Sequence, residues 1–218
     1  THRGGDPFAS LNSDDIDLRL VSSAQCVEFS CGAIRSEVSY AATRRAIAAT
    51  NGMVAFDPGC CPPAWGDPAV VARRTLELVK DCHVFKCSRE EAEALVGTDS
   101  PEEAVLRFMS HGGNLVIVTD GPNGAFYARG ADVGRVFAPD VPVVDTTGAG
   151  DAFMSGLLAR LLLDGIDPIA CPKEVLVGAI SYGCRVGAAA VTERGAVIGI
   201  PRLSEGDSLP EAPTVLDQ

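Results

Sequence analysis

Residues 143–153 read VVDTTGAGDAF. Val143 and Val144 run into Asp145, two threonines, Gly148 and Gly150, and Asp151 then opens the apolar run AFMSGLLARLLL. That run has helical spacing, so the pattern predicts a helix with Asp151 in its first turn. The simplest account of an acid there is capping: Asp stabilises the positive end of the helix dipole and accepts from free backbone N–H groups. The glycines add something. Gly148 and Gly150 let the backbone turn with its N–H groups outward, and a concave set of N–H groups at a helix start is an anion site. A carboxylate fixed beside such a site is unfavourable unless it has chemistry to perform there.

Outward from this stretch, helical and strand patterns alternate. SYAATRRAIAATNG (39–52) reads as a helix stopped by Gly52, ahead of the strand MVAFD (53–57). PAVVARRTLELVKD (68–81) is helical with Pro68 in its first turn, and HVFKC (83–87) is strand-like. SREEAEALVG (88–97) is a short helix closed by Gly97, and SPEEAVLRFMSHGG (100–113) opens with a capping signature. NLVIVTD (114–120) is a continuous apolar strand of the kind buried on both faces. GAFYARGADVGRVFAPDV (124–141) reads as a hairpin turning around Gly130 to Gly134. Two helices follow, over about 149–163 and about 173–191.

Alternation of this kind predicts an α/β fold, a largely parallel sheet with helices on both faces, in a single domain over residues 1–201. Residues 202–218 read as a polar, loosely held C-terminal tail. Ligands in such folds sit at the carboxyl ends of strands, where Asp57, Ser88, Asp120 and Asp145 all fall.

Composition narrows the function classes. Over 218 residues, 46% are hydrophobic and 22% charged, an ordinary globular balance, and the formal net charge is −11. The chain shows no basic patch for nucleic acid and no apolar run near the roughly 20 residues of a membrane span, so neither partner is expected. The eight cysteines (26, 31, 60, 61, 82, 87, 171 and 184) lack paired zinc spacing and read as buried thiols of a reducing cytoplasm. Cys82, His83 and Cys87 are close in sequence, but a plain strand accounts for them.

Among nucleotide chemistries, a Walker P-loop is absent. Gly148 and Gly150 begin a dinucleotide fingerprint, but its sixth position is Phe153. Phosphoryl transfer to an alcohol fits better. It needs a base for the hydroxyl proton, donors for the charge on the moving phosphoryl group, and Mg²⁺. Asp151 can supply the first and the N–H groups of residues 148 to 151 the second.

The residues resemble a known family. DTTGAGDAF closely matches the C-terminal signature of the ribokinase-like (phosphofructokinase B-type) carbohydrate kinases. Four further stretches agree in register with the fructokinase type: FDPGCCPPAW (56–65), KCSREEAEALVG (86–97), VIVTDGPNGAFY (116–127) and AAAVTERGAVIGIP (188–201). HRGGDPF (2–8) is similar to the R-x-G-A-D stretch of fructokinases. The resemblance implies a three-layer ribokinase-like fold and ATP-dependent phosphorylation of a small-molecule sugar. Asp151 would be the base, with Gly148, Ala149 and Gly150 as the anion hole. Glu91, with Ser88 in the Asn position of an N-x-x-E motif, would organise Mg²⁺; Ser88 and Glu91 also satisfy a capping box with no metal at all. Thr119, Gly121 and Gly124 would line the ATP site. Asp145 and Thr147, with carbonyls of Ala190, Glu193 and Gly195, match the monovalent-cation loop of relatives that use K⁺.

There are departures. Gly59 and Cys61 replace the Asn and Arg of D-P-N-x-R, Asp120 replaces a Leu, and Gly199 stands where some relatives carry a Ser cation ligand. Cys184 occupies the position of an Asn that precedes the cation loop beside the nucleotide. The N-terminal glycine pair, the sugar-binding Asp and most lid strands of the family have no counterpart in this sequence. With the lid mostly missing, an exposed sheet edge would invite association, as in a homodimer, or instability. A catalytically degenerate nucleotide-binding or interaction protein of the same fold is the alternative reading.

Overall fold

The computed structural model describes residues 10–59, 67–202 and 209–210. It divides into two compact units, Thr1–Val116 and Ile117–Gln218.

The first unit carries α1 (Leu18–Ser23), β1 (Cys26–Phe29), α2 (Glu37–Ala49), β2 (Met53–Phe56), α3 (Pro68–Val79), β3 (Val84–Ser88), α4 (Arg89–Val96) and α5 (Pro101–Ser110). β1 pairs with β2 in parallel, with Phe29 opposite Phe56, and β2 pairs with β3 in parallel, with Phe56 opposite Phe85. That register builds an aromatic row. Phe29 stacks on Phe56 at 4.4 Å between centroids, Phe56 meets Phe85 edge-on at 5.6 Å, and Phe85 reaches Phe108 of α5 at 4.8 Å. Parallel strands need crossovers long enough to hold a helix, and α2 and α3 supply them.

Most helix ends follow the sequence signals, although α2 ends at Ala49 with Thr50 as its C-cap, ahead of Gly52. Ser88 and Ser100 cap α4 and α5, Pro68 sits in the first turn of α3, and Gly97 closes α4 at φ 71°. α2 begins at Glu37 rather than Ser39, because Ser36 takes the cap through the Ser39 N–H. Arg74 on α3 is buried: Nη1 donates to the carbonyls of Ile34 (2.8 Å) and Arg35 (2.9 Å), and Nη2 to Glu37 at the head of α2.

β4 (Leu115–Thr119) starts in the first unit, where the Leu115 N–H donates to the His83 carbonyl at 3.2 Å, and ends in the second. The second unit continues with β5 (Ala125–Arg129), β6 (Asp132–Val136), α6 (Ala149–Leu163) and α7 (Lys173–Ala190). β5 and β6 are antiparallel, as the hairpin pattern predicts, but the turn is narrower than Gly130 to Gly134. Gly134 lies within β6 opposite Tyr127, where a Cβ would stand 2.9 Å from the Tyr127 ring. That glycine serves ring packing, and the turn itself is closed by Arg129 on Asp132 (2.5 Å). α6 and α7 approach closely at small residues: a Cβ on Gly156 would sit 2.8 Å from Val186, and one on Gly183 3.0 Å from the Phe153 carbonyl.

Candidate functional site

In the second unit the segment after β6 leads to a turn at 145–148. The Asp145 carboxylate accepts from the Thr147 N–H (3.0 Å) and the Gly195 N–H (2.9 Å). Hydrogen bonds from the Thr147 hydroxyl and N–H, and from the Gly195 N–H, hold its pKa below the ordinary aspartate value. The N–H groups of Val144 and Asp145 both donate to the Val191 carbonyl (2.8 and 3.2 Å). The loop after α7 is thus clasped directly to this turn. Val143 and Val144 themselves are exposed.

Gly148 is the N-cap of α6, at φ 81°. A Cβ there would lie 2.8 Å from the Ala196 carbonyl oxygen, so the position requires glycine both for its dihedral and for the close approach. Ala149, Gly150 and Asp151 then form the first helical turn. Ala149 donates its N–H to the Thr146 carbonyl at 3.2 Å and is engaged. The N–H groups of Gly148, Gly150 and Asp151 donate to no group among the described residues. The Asp151 side chain is exposed and caps no backbone N–H. The N–H-capping half of the sequence account therefore does not describe it, while its place in the first turn suits the helix dipole. What the turn offers is a set of outward N–H donors with an uncommitted carboxylate beside them.

Thr119 is the last residue of β4. The chain then makes a tight turn: Asp120 donates its N–H to the Gly124 carbonyl (2.8 Å), and its carboxylate accepts from the Asn123 amide (2.9 Å). Gly121 is exposed at φ 48° with open space around it, whereas a Cβ on Gly124 would fall 2.0 Å from the Val136 carbonyl oxygen. Cys184, on α7, is buried with Sγ 4.0 Å from the Val136 carbonyl, and burial pushes its thiol up to about 12. Its sulfur packs inward.

The carbonyl oxygens of Ala190, Glu193 and Gly195 accept no hydrogen bond among the described residues. Carbonyl and carboxylate oxygens are the donors a hard cation takes, so in chemical type these residues and Asp145 fit a monovalent cation. Gly199 adds no ligand; its backbone is pressed against Ala189 and Ala190, where a Cβ would lie 2.6 and 2.7 Å from their carbonyl oxygens.

In the first unit, Ser88 and Glu91 form the capping box that the spacing predicts. The Ser88 N–H donates to Glu91 (2.6 Å) and the Glu91 N–H to the Ser88 hydroxyl (3.2 Å). Glu91 is buried. One carboxylate suits Mg²⁺, which is usually held by one or two carboxylates, waters and substrate phosphates. Near it Asp57, placed at a strand end by the sequence, is paired with Lys86, which the sequence signals do not single out, at 2.7 Å. A lysine on a strand otherwise buried on both faces was the available signal. Gly59 donates its N–H to Asp57 (3.2 Å); Cys61 lies outside the described residues. Among the described residues no group of three or more His, Cys, Asp or Glu could hold a metal, and His83 accepts the Val54 N–H through Nδ1 (3.0 Å). No described helix is long and apolar enough to cross a membrane.

The profile of the pfkB family carbohydrate kinases matches residues 7–203, and the chain belongs to that family. Among individual relatives, it is 31% identical over 203 residues to fructokinase-2 of Zea mays, covering 91% of this chain and 60% of that protein. The structure of fructokinase from Vibrio cholerae O395, in a fructose-, ADP- and calcium-bound form, superposes with a TM-score of 0.79 at 31% identity, over 90% of this chain and 65% of that one. Ribokinase from Thermotoga maritima shares the fold, with a TM-score of 0.71 at 24% identity over 92% of this chain and 61% of that one. The ribokinase-like α/β architecture expected from the sequence is therefore the observed one. The chain spans about 60% of the length of the maize relative.

Proposed function

We propose that the protein of which this chain is part transfers the γ-phosphoryl group of ATP to a hydroxyl of a small sugar of the fructose class. The observation that carries the reading is the Asp151 carboxylate, uncommitted, beside the undonated N–H groups of Gly148, Gly150 and Asp151. Asp151 takes the proton of the acceptor hydroxyl as its oxygen bonds to phosphorus and the bond to the ADP oxygen breaks. The transition state is loose, so a carboxylate suffices as a base for a proton released late. The three N–H groups face the charge that develops on the phosphoryl oxygens, where fixed donors act without reorganisation. Ala149 would contribute shape to this hole and not its N–H.

Thr119, Gly121 and Gly124 would line the nucleotide, with Cys184 acting from behind as packing. Glu91, with water, would hold Mg²⁺, which would supply charge neutralisation on phosphate oxygens. A K⁺ ion on Asp145, the Thr147 segment and the carbonyls of Ala190, Glu193 and Gly195 would brace the same turn. The V. cholerae relative was crystallised with fructose and ADP, and maize fructokinase-2 carries the matching name. A cytoplasmic, dimeric enzyme is the form proposed.

The test is a coupled ADP-release assay on the complete reading frame with hexoses and pentoses, comparing wild type with Asp151→Asn. Turnover by the wild type, its loss by at least about 10³-fold in the variant, and retained nucleotide binding are expected. Nucleotide binding with no turnover on any sugar would instead favour a degenerate, binding-only member of the family.

A further inference from the structure

The residues after Pro201 read as loose tail, yet Leu209 is only 5% exposed. It belongs to an apolar cluster with Ala152, Val186 and Ala190, flanked by Tyr182, Ala189 and Ile200. Arg185, in the C-terminal half of α7, reaches the same segment: Nε donates to the Pro210 carbonyl at 2.7 Å and Nη2 to the Leu209 carbonyl at 3.1 Å. A guanidinium fork on two successive carbonyls fixes a backbone in both position and direction, which a lysine point donor does not.

The location of the cluster gives this contact a role beyond packing. Ala152 follows Asp151 directly, and its N–H closes on the Gly148 carbonyl at 2.8 Å. Ala190 ends α7 and carries one of the carbonyls left without a partner among the described residues. Leu209 therefore shares an apolar cluster with the residue that follows Asp151 in the first turn of α6. The other flank of that turn, at Gly148, is closed by Ala196. Both grips come from chain beyond α7. Arg185 bonds backbone carbonyls and forms no ion pair among the described residues, so its hold does not depend on a carboxylate staying charged.

We propose that Leu209 and Arg185 are positioning residues: the Leu209–Pro210 pair, gripped by Arg185, acts as a strap that sets the first turn of α6 and with it the Asp151 carboxylate and the N–H groups beside it. The catalytic part of this inference rests on the reading of Asp151 as the base.

The experiment uses the complete reading frame with Leu209→Ala, Leu209→Met, Arg185→Lys, and Leu161→Ala as a buried control on the far part of α6. Steady-state kinetics, melting temperature and amide exchange of the 147–153 segment are measured for each. Leu209→Ala and Arg185→Lys should lower kcat by about tenfold or more with KM values within about twofold, the signature of a group acting in the transition state. Exchange over 147–153 should rise by about tenfold as local opening becomes easier. Leu209→Met should restore both, and Leu161→Ala should lower the melting temperature without changing either. Wild-type kcat and exchange in both Leu209→Ala and Arg185→Lys would overturn the strap, as would an equal kcat loss in Leu161→Ala. If the wild type phosphorylates no sugar while exchange still rises in Leu209→Ala, the kinase reading fails and the strap stands. If the wild type turns over and exchange is unmoved, the strap fails and the kinase reading stands.

Discussion

The Lys86 ammonium donates to the Asp57 carboxylate at 2.7 Å, with the two side chains only 4% and 7% exposed. Burial by itself would push the lysine down, but the Asp57 charge and hydrogen bond, with the Glu91 charge beyond, leave its pKa raised. Removing one partner of a buried pair strands the other charge, at about 3–5 kcal/mol. Lys86→Met should therefore destabilise the fold by that order in urea unfolding, and Lys86→Met/Asp57→Leu should recover most of it. A raised lysine pKa places its stabilisation below the ordinary lysine value of about 10.4, to be lost as pH climbs through the higher folded value. The pair should thus hold unchanged from neutral pH to about 10, and the stability of wild type relative to the double variant should stay constant over that range and fall only above it.

Gly148 and Gly121 both have positive φ, yet their surroundings separate them. Gly148→Ala pays the left-handed dihedral, about 1–2 kcal/mol, and also drives a methyl into Ala196. Gly121→Ala meets nothing within 4 Å and carries the dihedral alone. In thermal melts Gly148→Ala should fall further than Gly121→Ala, by several degrees at about 2–4 °C per kcal/mol. In the assay for sugar phosphorylation it should also lower kcat, because the turn that presents Asp151 has to move.

How far this could be read from the sequence varies by element, for physical reasons. The α6 turn was legible because glycine, acid and apolar run each constrain the backbone locally. β4 was legible because a strand covered on both faces is apolar throughout. β1 was not: Cys26–Phe29 is half-buried, and Glu28 within it faces solvent, so no period stands out. Leu209 was illegible for a different reason. A single apolar residue among polar ones has no pattern, and only tertiary packing against Ala152 and Ala190 gives it a place. Ser88 and Glu91 show the converse case, where a short spacing fixed the local geometry and left the chemistry open.

Asp145 gives a pH prediction of opposite sign to Lys86. Its pKa is lowered by the Thr147 hydroxyl and N–H and by the Gly195 N–H. A depressed carboxylate contributes above its unfolded value, about 3.9, and loses that contribution as pH falls through the lower folded value. Asp145→Asn removes the charge at every pH. The melting temperature of wild type should exceed that of Asp145→Asn from about pH 5 upward, and the gap should narrow as pH falls below the ordinary aspartate value of about 3.9. A gap that persists unchanged to acid pH would mean that the Asp145 clasp does not act through its charge.

Cys184 offers a chemical check on the packing of α7. With its thiol pushed up to about 12 by burial, the thiolate fraction at pH 8 is on the order of 10⁻⁴, and the sulfur is also shielded. Cys82 is buried in the same manner, its pKa raised further, while Cys26 is half-buried with its thiol raised to about 11. An aromatic disulfide reagent applied to the native protein at pH 8 should therefore leave Cys184 and Cys82 unmodified over hours and react with both once guanidinium unfolds the chain. Reaction at Cys184 within minutes under native conditions would show that α7 opens from its neighbours far more readily than the packing of Phe153, Gly183 and Val186 implies.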